Sequence, residues 1–161
     1  SDRAVMLDPN IRPAFIADEA EYRARLDRMF ALADIVKVSD EDLDWIVPGS
    51  LSLSGKTKAL CKKGPGIVIL TRGGDGVSAF MADGTEVSIP IARVEVVDTV
   101  GAGDTFNAGV LAKLEALGQQ SKPALRKLSP NILTEALAHG AKVAAVTVSR
   151  AGANPPWANE L

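Results

Sequence analysis

The sequence predicts an α/β protein of three layers, with helices on both faces of a mostly parallel sheet and a β-hairpin at one edge. Three observations carry this. Apolar strand-like runs alternate with segments of helical period, the order from which parallel sheets are built. Residues 66–71 (GIVILT) are apolar without alternation, as a strand buried on both faces must be. Residues 77–81 and 85–89, joined by Ala82-Asp83-Gly84, read as a hairpin that adds antiparallel strands to the sheet edge.

Taken in order, Ala4-Val5-Met6-Leu7 is a short buried strand. Asp8-Pro9-Asn10-Ile11-Arg12-Pro13 follows as a polar turn stiffened by prolines, at the strand end where α/β proteins place their sites. On its own this is a loop with a surface arginine. Residues 18–33 form a helix, with Asp18 and Glu21 spaced as a capping box and Tyr22, Leu26, Met29 and Phe30 as its apolar stripe. Residues 34–38 are the next strand. Ser39 and Asp42 then have the spacing of an N-cap pair opening another helix, a role that needs no ligand. A weaker helix covers 51–63 after the Pro48-Gly49-Ser50 break. The three glycines of Arg72-Gly73-Gly74-Asp75-Gly76, after the buried strand, are compatible with a plain hairpin turn.

Val94-Glu95-Val96-Val97 is β-branched and reads as a strand or an extended approach to one. Phe106, Val110, Leu111, Leu114 and Leu117 then recur at helical spacing, with Gly118 as the stop. Residues 119–128 are polar and read as a mobile surface loop or short helical turn. Ser129 as N-cap and Pro130 at the first position start the last main helix. Its buried face is Ile132, Leu133, Ala136, Leu137, Gly140, Ala141 and Ala144, and Asn154-Pro155-Pro156-Trp157 is a stiff tail.

Composition bounds the function. The 161 residues are 47% hydrophobic and 24% charged, the balance of a globular protein. A net charge of −2 argues against a nucleic-acid binder working by bulk electrostatics. No apolar run reaches membrane-spanning length and no signal peptide is visible. Cys61 is the single cysteine, a plain thiol that fits a reducing cytoplasm. His139 is the single histidine and has no Cys or His partner for a metal role.

Chemistry concentrates at Gly101-Ala102-Gly103-Asp104, where a helix begins in a glycine-rich turn. Backbone N–H groups at a helix start have no intrahelical partner, and the dipole adds positive charge. Small residues let an anion approach that backbone. Asp104 in the first turn is either an ordinary dipole-favoured acid or a base beside a phosphate cradle. A dinucleotide fingerprint is excluded because its third glycine is replaced by Phe106, and a Walker A ending is absent.

The whole string Asp98-Thr99-Val100-Gly101-Ala102-Gly103-Asp104-Thr105-Phe106 resembles the D-T-x-G-A-G-D-x-F signature of ribokinase-like (PfkB) carbohydrate kinases. The resemblance implies a ribokinase-like three-layer α/β/α fold and ATP-dependent phosphorylation of a sugar hydroxyl. It makes Asp104 the catalytic base and Gly101, Ala102 and Gly103 the anion hole. Asp8-Pro9-Asn10-Ile11-Arg12-Pro13 is similar to the loop of fructokinases and, more loosely, of 2-keto-3-deoxygluconate kinases. This implies that Asn10 and Arg12 meet the sugar or the transferred phosphate, Arg12 through its planar donor fork. Where the family often carries N-x-x-E, this chain has Ser39 and Asp42, closer to the K-x-S-x-E form. The implied roles are nucleotide phosphates for Ser39 and water-bound Mg²⁺ for Asp42. Thr71, Gly73 and Gly76 match a T-x-G-x-x-G segment that approaches ATP phosphates. The turn near Gly140 and Val143 would lie beside adenine, with His139 structural or at the pocket rim.

Thr147-Val148-Ser149-Arg150-Ala151-Gly152-Ala153 resembles the family's C-terminal T/S-x-x-G-A element. There Asp98, with the backbones of Val100, Thr147, Arg150 and Gly152, would hold a monovalent cation, usually K⁺. The alternative is that Asp98 caps the coming turn. The resemblance covers essentially the whole chain but only the C-terminal, nucleotide-binding half of the family's single domain. The N-terminal sugar-binding half and lid are expected to be absent. The expected function is fructokinase within a longer parent chain, with 2-keto-3-deoxygluconate kinase or ribokinase as alternatives. An inactive nucleotide-binding remnant is the alternative of another class. ATP, Mg²⁺ and K⁺ are the implied cofactors, and sugar and ATP the implied partners, with no nucleic acid and no membrane. The parent enzyme is open to homodimer formation and is expected in the cytoplasm.

Overall fold

The structure is a computed structural model that describes residues 2–161. In chain order its main elements are β1 (Met6–Leu7), α1 (Glu19–Phe30), β2 (Ile35–Ser39), α2 (Asp40–Ile46), α3 (Leu53–Cys61) and β3 (Ile67–Thr71). After these come β4 (Val77–Met81), β5 (Glu86–Ile89), α4 (Ala102–Ala116), α5 (Lys122–Leu125) and α6 (Pro130–Val148). The strands form one sheet in the order β1-β2-β3-β4-β5. β1, β2 and β3 are parallel, with Ser39 level with Thr71 at their C-terminal ends. β4 and β5 are antiparallel, as the hairpin pattern requires.

Strand alternation divides the core in two. Ile35, Ile67, Ile69, Val77 and Ala79 pack on Phe106, Val110 and Leu114 of α4 and on Leu133 and Leu137 of α6. Val36, Val38, Val68, Leu70 and Phe80 pack on Leu26 and Phe30 of α1, Leu43 and Ile46 of α2, and Leu60 of α3. Each fully buried leucine among these contributes about 1.5–3 kcal/mol relative to exposure. The result is the three-layer arrangement the sequence pattern requires.

Five of the six helices start as the sequence chemistry dictates. Asp18, Ser39, Ser52, Ser121 and Ser129 each accept a backbone N–H three residues on. α4 differs. Its N-cap is Gly101 at φ +77°, a left-handed conformation suited to glycine, and no side chain caps it.

α4 and α6 cross closely because each carries a glycine at the contact. A Cβ on Gly109 would lie 2.8 Å from Gly140 Cα, and one on Gly140 would lie 2.8 Å from Phe106 O. Gly140 and Val143, expected in a turn beside adenine, are therefore interior to α6 and buried against α4. The packing demand of the crossing, not a turn, explains that glycine.

Other local features have equally local causes. Residues 94–97 form no strand, and Val96 and Val97 are exposed. The N–H groups of Val97 and Asp98 instead donate to Val148 O at the end of α6. Leu111 falls on the outer face of α4 and is exposed. The 119–128 segment takes the second of its two expected forms, a short helical turn, α5, anchored by buried Leu125 and Leu128. The β3–β4 connection is closed by Arg72 N–H donating to Gly76 O at 3.1 Å, which makes 72–76 a hairpin turn.

Candidate active site

On the sheet face beneath α4, the strands change from apolar to polar as they reach their C-terminal ends. Met6 gives way to Asp8, Ile35 to Lys37 and Ser39, and Ile69 to Thr71. Strand period puts these polar positions on the face that carries α4. A row of hydrogen-bonding groups thus lies on the face before the uncapped start of that helix.

At the helix start, Ala102 N–H donates to Thr99 O at 3.2 Å and Thr105 N–H to Gly101 O at 2.9 Å. The N–H groups of Gly101, Gly103 and Asp104 have no acceptor among the described residues. Two of the expected donors, Gly101 and Gly103, are therefore open, while that of Ala102 is engaged and that of Asp104 is open in addition. Asp104 is exposed and its carboxylate is likewise unengaged among the described residues. Dipole and open donors favour an anion here, and the free carboxylate stands next to it.

The turn is braced from the C-terminal side. Asp98 Oδ1 accepts Val100 N–H at 3.0 Å and Oδ2 accepts Gly152 N–H at 2.9 Å. These bonds, Val100's first and Gly152's second, hold the Asp98 carboxyl below its ordinary pKa. A Cβ on Gly101 would meet Ala153 Cβ at 2.9 Å, so only glycine lets the two loops touch. Asp98 thus caps the turn through Val100 and ties Gly152 to it, the role the sequence left open beside that of a cation ligand. Thr147 O already accepts Arg150 N–H at 3.1 Å, and Gly152 O accepts Asn154 N–H at 2.9 Å. Each carbonyl keeps a second lone pair for an ion.

Asp42 does more than the sequence suggested. It is buried, its N–H donates to Ser39 Oγ at 3.0 Å, and its Oδ1 accepts Ile11 N–H at 2.9 Å. The carboxylate thereby anchors the 8–13 loop to the start of α2, a contact across 31 residues that spacing cannot reveal. Asn10 in this loop has φ +44°, the one left-handed non-glycine backbone among the described residues. Arg12 is exposed, with Nη1 donating to Ile11 O at 2.9 Å. Part of its fork is therefore folded back on its own loop.

Sequence reasoning missed the group below the turn. Lys37 Nζ donates to Asp8 Oδ2 at 3.1 Å, and Asn107 Nδ2 donates to the same oxygen at 2.9 Å. Strand alternation past Ile35 carried the signal for Lys37, but the pairing partners are 29 and 99 residues apart. A separate open groove of about 380 Å³ is lined by Pro90, Ala92, Val94, Ala138, Lys142 and Val146, among others. It lies on the side of α6 away from Gly140 and Val143.

Fold and site together define an α/β protein with open N–H donors at a helix start in front of a free carboxylate. Residues 2–160 match the pfkB family of carbohydrate kinases, and the chain belongs to that family. It is 49% identical over 119 residues to a fructokinase of Rhizobium leguminosarum bv. trifolii, covering 71% of this chain and 35% of the relative. Among solved structures it matches aminoimidazole riboside kinase from Salmonella enterica, complexed with aminoimidazole riboside and an ATP analogue. That match has TM-score 0.79, 31% identity, and coverage of 93% of this chain and 47% of the other. It also matches a double-mutant fructokinase from Vibrio cholerae O395 bound to fructose, ADP and a potassium ion. There the TM-score is 0.78, the identity 25%, and the coverage 93% and 46%. These likenesses show the ribokinase-like α/β fold expected from the sequence. The chain spans between about a third and a half of the length of these relatives.

Proposed function

We propose that this chain is the nucleotide-binding and catalytic half of an ATP-dependent sugar kinase whose acceptor is fructose. The observation that carries the reading is the uncapped start of α4, with Gly101, Gly103 and Asp104 N–H groups open beside a free Asp104 carboxylate. Asp104 accepts the proton of the sugar hydroxyl as its oxygen attacks the γ-phosphorus, and the bond from that phosphorus to the β,γ-bridging oxygen breaks to release ADP. A carboxylate is a weak base against an alcohol, which a loose phosphoryl-transfer transition state tolerates because the proton moves late. The open N–H groups stabilise charge on the transferred phosphoryl oxygens.

Ser39, Thr71, Gly73 and Gly76 stand at the strand ends and turn where the triphosphate would lie. The groove between residues 90–94 and α6 suits adenine, with Ala138 and Lys142 replacing Gly140 and Val143 as its helical wall. The residues present fit Mg²⁺ only through water. Asp42 keeps one carboxylate oxygen free, and no cluster of three His, Cys, Asp or Glu exists among the described residues. Bound Mg²⁺ neutralises phosphate charge. The Asp98 loop fits K⁺ through carbonyl oxygens, and an ion there stiffens the turn that bears the open donors. No helix among the described residues is long and apolar enough to cross a membrane.

The fructose assignment rests on the Asp8–Pro13 loop and the fructokinase relative. If the acceptor is instead a sugar acid such as 2-keto-3-deoxygluconate, Arg12 pairs with its carboxylate. The test combines calorimetric titration of this chain with ATP·Mg²⁺ and phosphorylation of both sugars by the full-length enzyme, in Na⁺ and then in K⁺. Binding of nucleotide with transfer to fructose, faster in K⁺, is the expected result. Nucleotide binding without transfer to either sugar marks a remnant.

A further inference from the structure

Lys37 is a charged residue on the central strand of a parallel run, and it is buried. Only a strong local reason places an ammonium there. Its Nζ lies 3.0 Å from where a Cβ on Gly103 would stand, directly beneath the second glycine of the anion turn. Its one hydrogen-bond partner among the described residues is Asp8 Oδ2, which Asn107, a turn further along α4, also engages. Asp8 Oδ1 and Asn107 Oδ1 are buried with no hydrogen-bond partner. The network thus gives the ammonium one anionic acceptor and leaves two buried oxygens short at its edges.

We propose that Lys37 is a positioning residue of the anion hole. Asp8 and Asn107 hold its ammonium under Gly103, where its charge adds to the field of the α4 start and its bulk sets the height of the turn. The inference rests on the kinase reading above and extends it to a residue outside the signature. Positive charge at this depth stabilises the transition state more than the ground state, because negative charge builds on the leaving β,γ-bridging oxygen as its bond to the phosphorus breaks. A role in folding alone makes a different forecast. Removing one member of a buried ion pair strands the other charge, while removing both restores a neutral, stable site.

The experiment is a double-mutant cycle in the full-length enzyme, with kcat, KM for ATP and melting temperature read for each variant. Lys37→Met is expected to lower kcat at least about tenfold while KM for ATP stays within about twofold. In Lys37→Met/Asp8→Asn the melting temperature should return toward wild type while kcat stays low. Recovery of kcat together with stability in the double variant, or unchanged kcat in Lys37→Met, overturns the inference and leaves the kinase reading intact. A wild-type enzyme that transfers no phosphoryl group from ATP to any sugar overturns both.

Discussion

Asp98 Oδ2 accepts the N–H of Gly152 at 2.9 Å, joining two loops 54 residues apart at the base of the anion turn. The same carboxylate holds Val100 N–H, and its folded pKa is lowered by both bonds. A depressed carboxyl contributes stability that is present above its ordinary pKa and lost as pH falls through the lower folded value. Asp98→Asn should therefore lower the melting temperature at pH 7, and the gap from wild type should close below about pH 4. A gap that is constant with pH assigns the loss to shape rather than charge.

The α4–α6 crossing makes a prediction that helix propensity alone gets wrong. Alanine is the better helix former by about 0.5–1 kcal/mol, yet a Cβ on Gly140 would meet Phe106 O at 2.8 Å and Val110 Cγ2 at 2.7 Å. Overpacking of this kind costs about 1–3 kcal/mol, so Gly140→Ala should destabilise on balance. Gly55→Ala in α3 is the control, since its nearest contacts there are an ordinary 3.4 Å. Denaturant unfolding of both variants decides it. Equal stabilisation by the two would show that the crossing is looser than described.

Asp42 has two separable roles. Asn keeps an oxygen for Ile11 N–H but removes the charge, whereas Ala removes both. If Asp42 only anchors the loop, Asp42→Asn should behave as wild type and Asp42→Ala should lose about 1–3 kcal/mol through the stranded donor. If it also serves water-bound Mg²⁺, Asp42→Asn should raise the Mg²⁺ concentration needed for half-maximal activity. Titrating Mg²⁺ against the two variants separates the roles.

These residues show what the sequence makes legible. Periodicity and capping chemistry located the helices at Asp18, Ser39 and Ser129 and the strands at 67–71 and 77–81, because each signal is confined to a few neighbouring residues. The signature string marked the α4 start for the same reason. The valines at 94–97 misled because β-branching favours extended backbone but says nothing of a neighbouring strand to pair with. Periodicity put Gly140 on the buried face of the last helix, where it lies, while the turn implied there by the resemblance is not formed. Asp8, Lys37 and Asn107 come together only through tertiary structure, and Ala102's bond to Thr99 depends on the turn's detailed path.

Arg12 separates the two acceptor readings. With fructose it serves the transferred phosphate, and Arg12→Ala should lower kcat more than it raises KM for the sugar. With a sugar acid it pairs with a carboxylate already present in the ground state. Its loss then raises KM for the acid by an amount equivalent to roughly 2–3 kcal/mol. Steady-state kinetics on fructose and 2-keto-3-deoxygluconate, for wild type and Arg12→Ala, distinguish the patterns. Turnover of the acid alone, with KM collapsing in the variant, replaces fructose as the acceptor.

The most direct test of the kinase account is Asp104→Asn in the full-length enzyme, assayed for kcat and for ATP·Mg²⁺ binding by titration. The side chain keeps its shape and loses its capacity to take a proton, while the open N–H groups at the start of α4 remain. The account predicts that kcat falls at least about 100-fold with nucleotide affinity little changed. Near-normal turnover by the variant would contradict it, and would return Asp104 to the role of an acid favoured by the helix dipole.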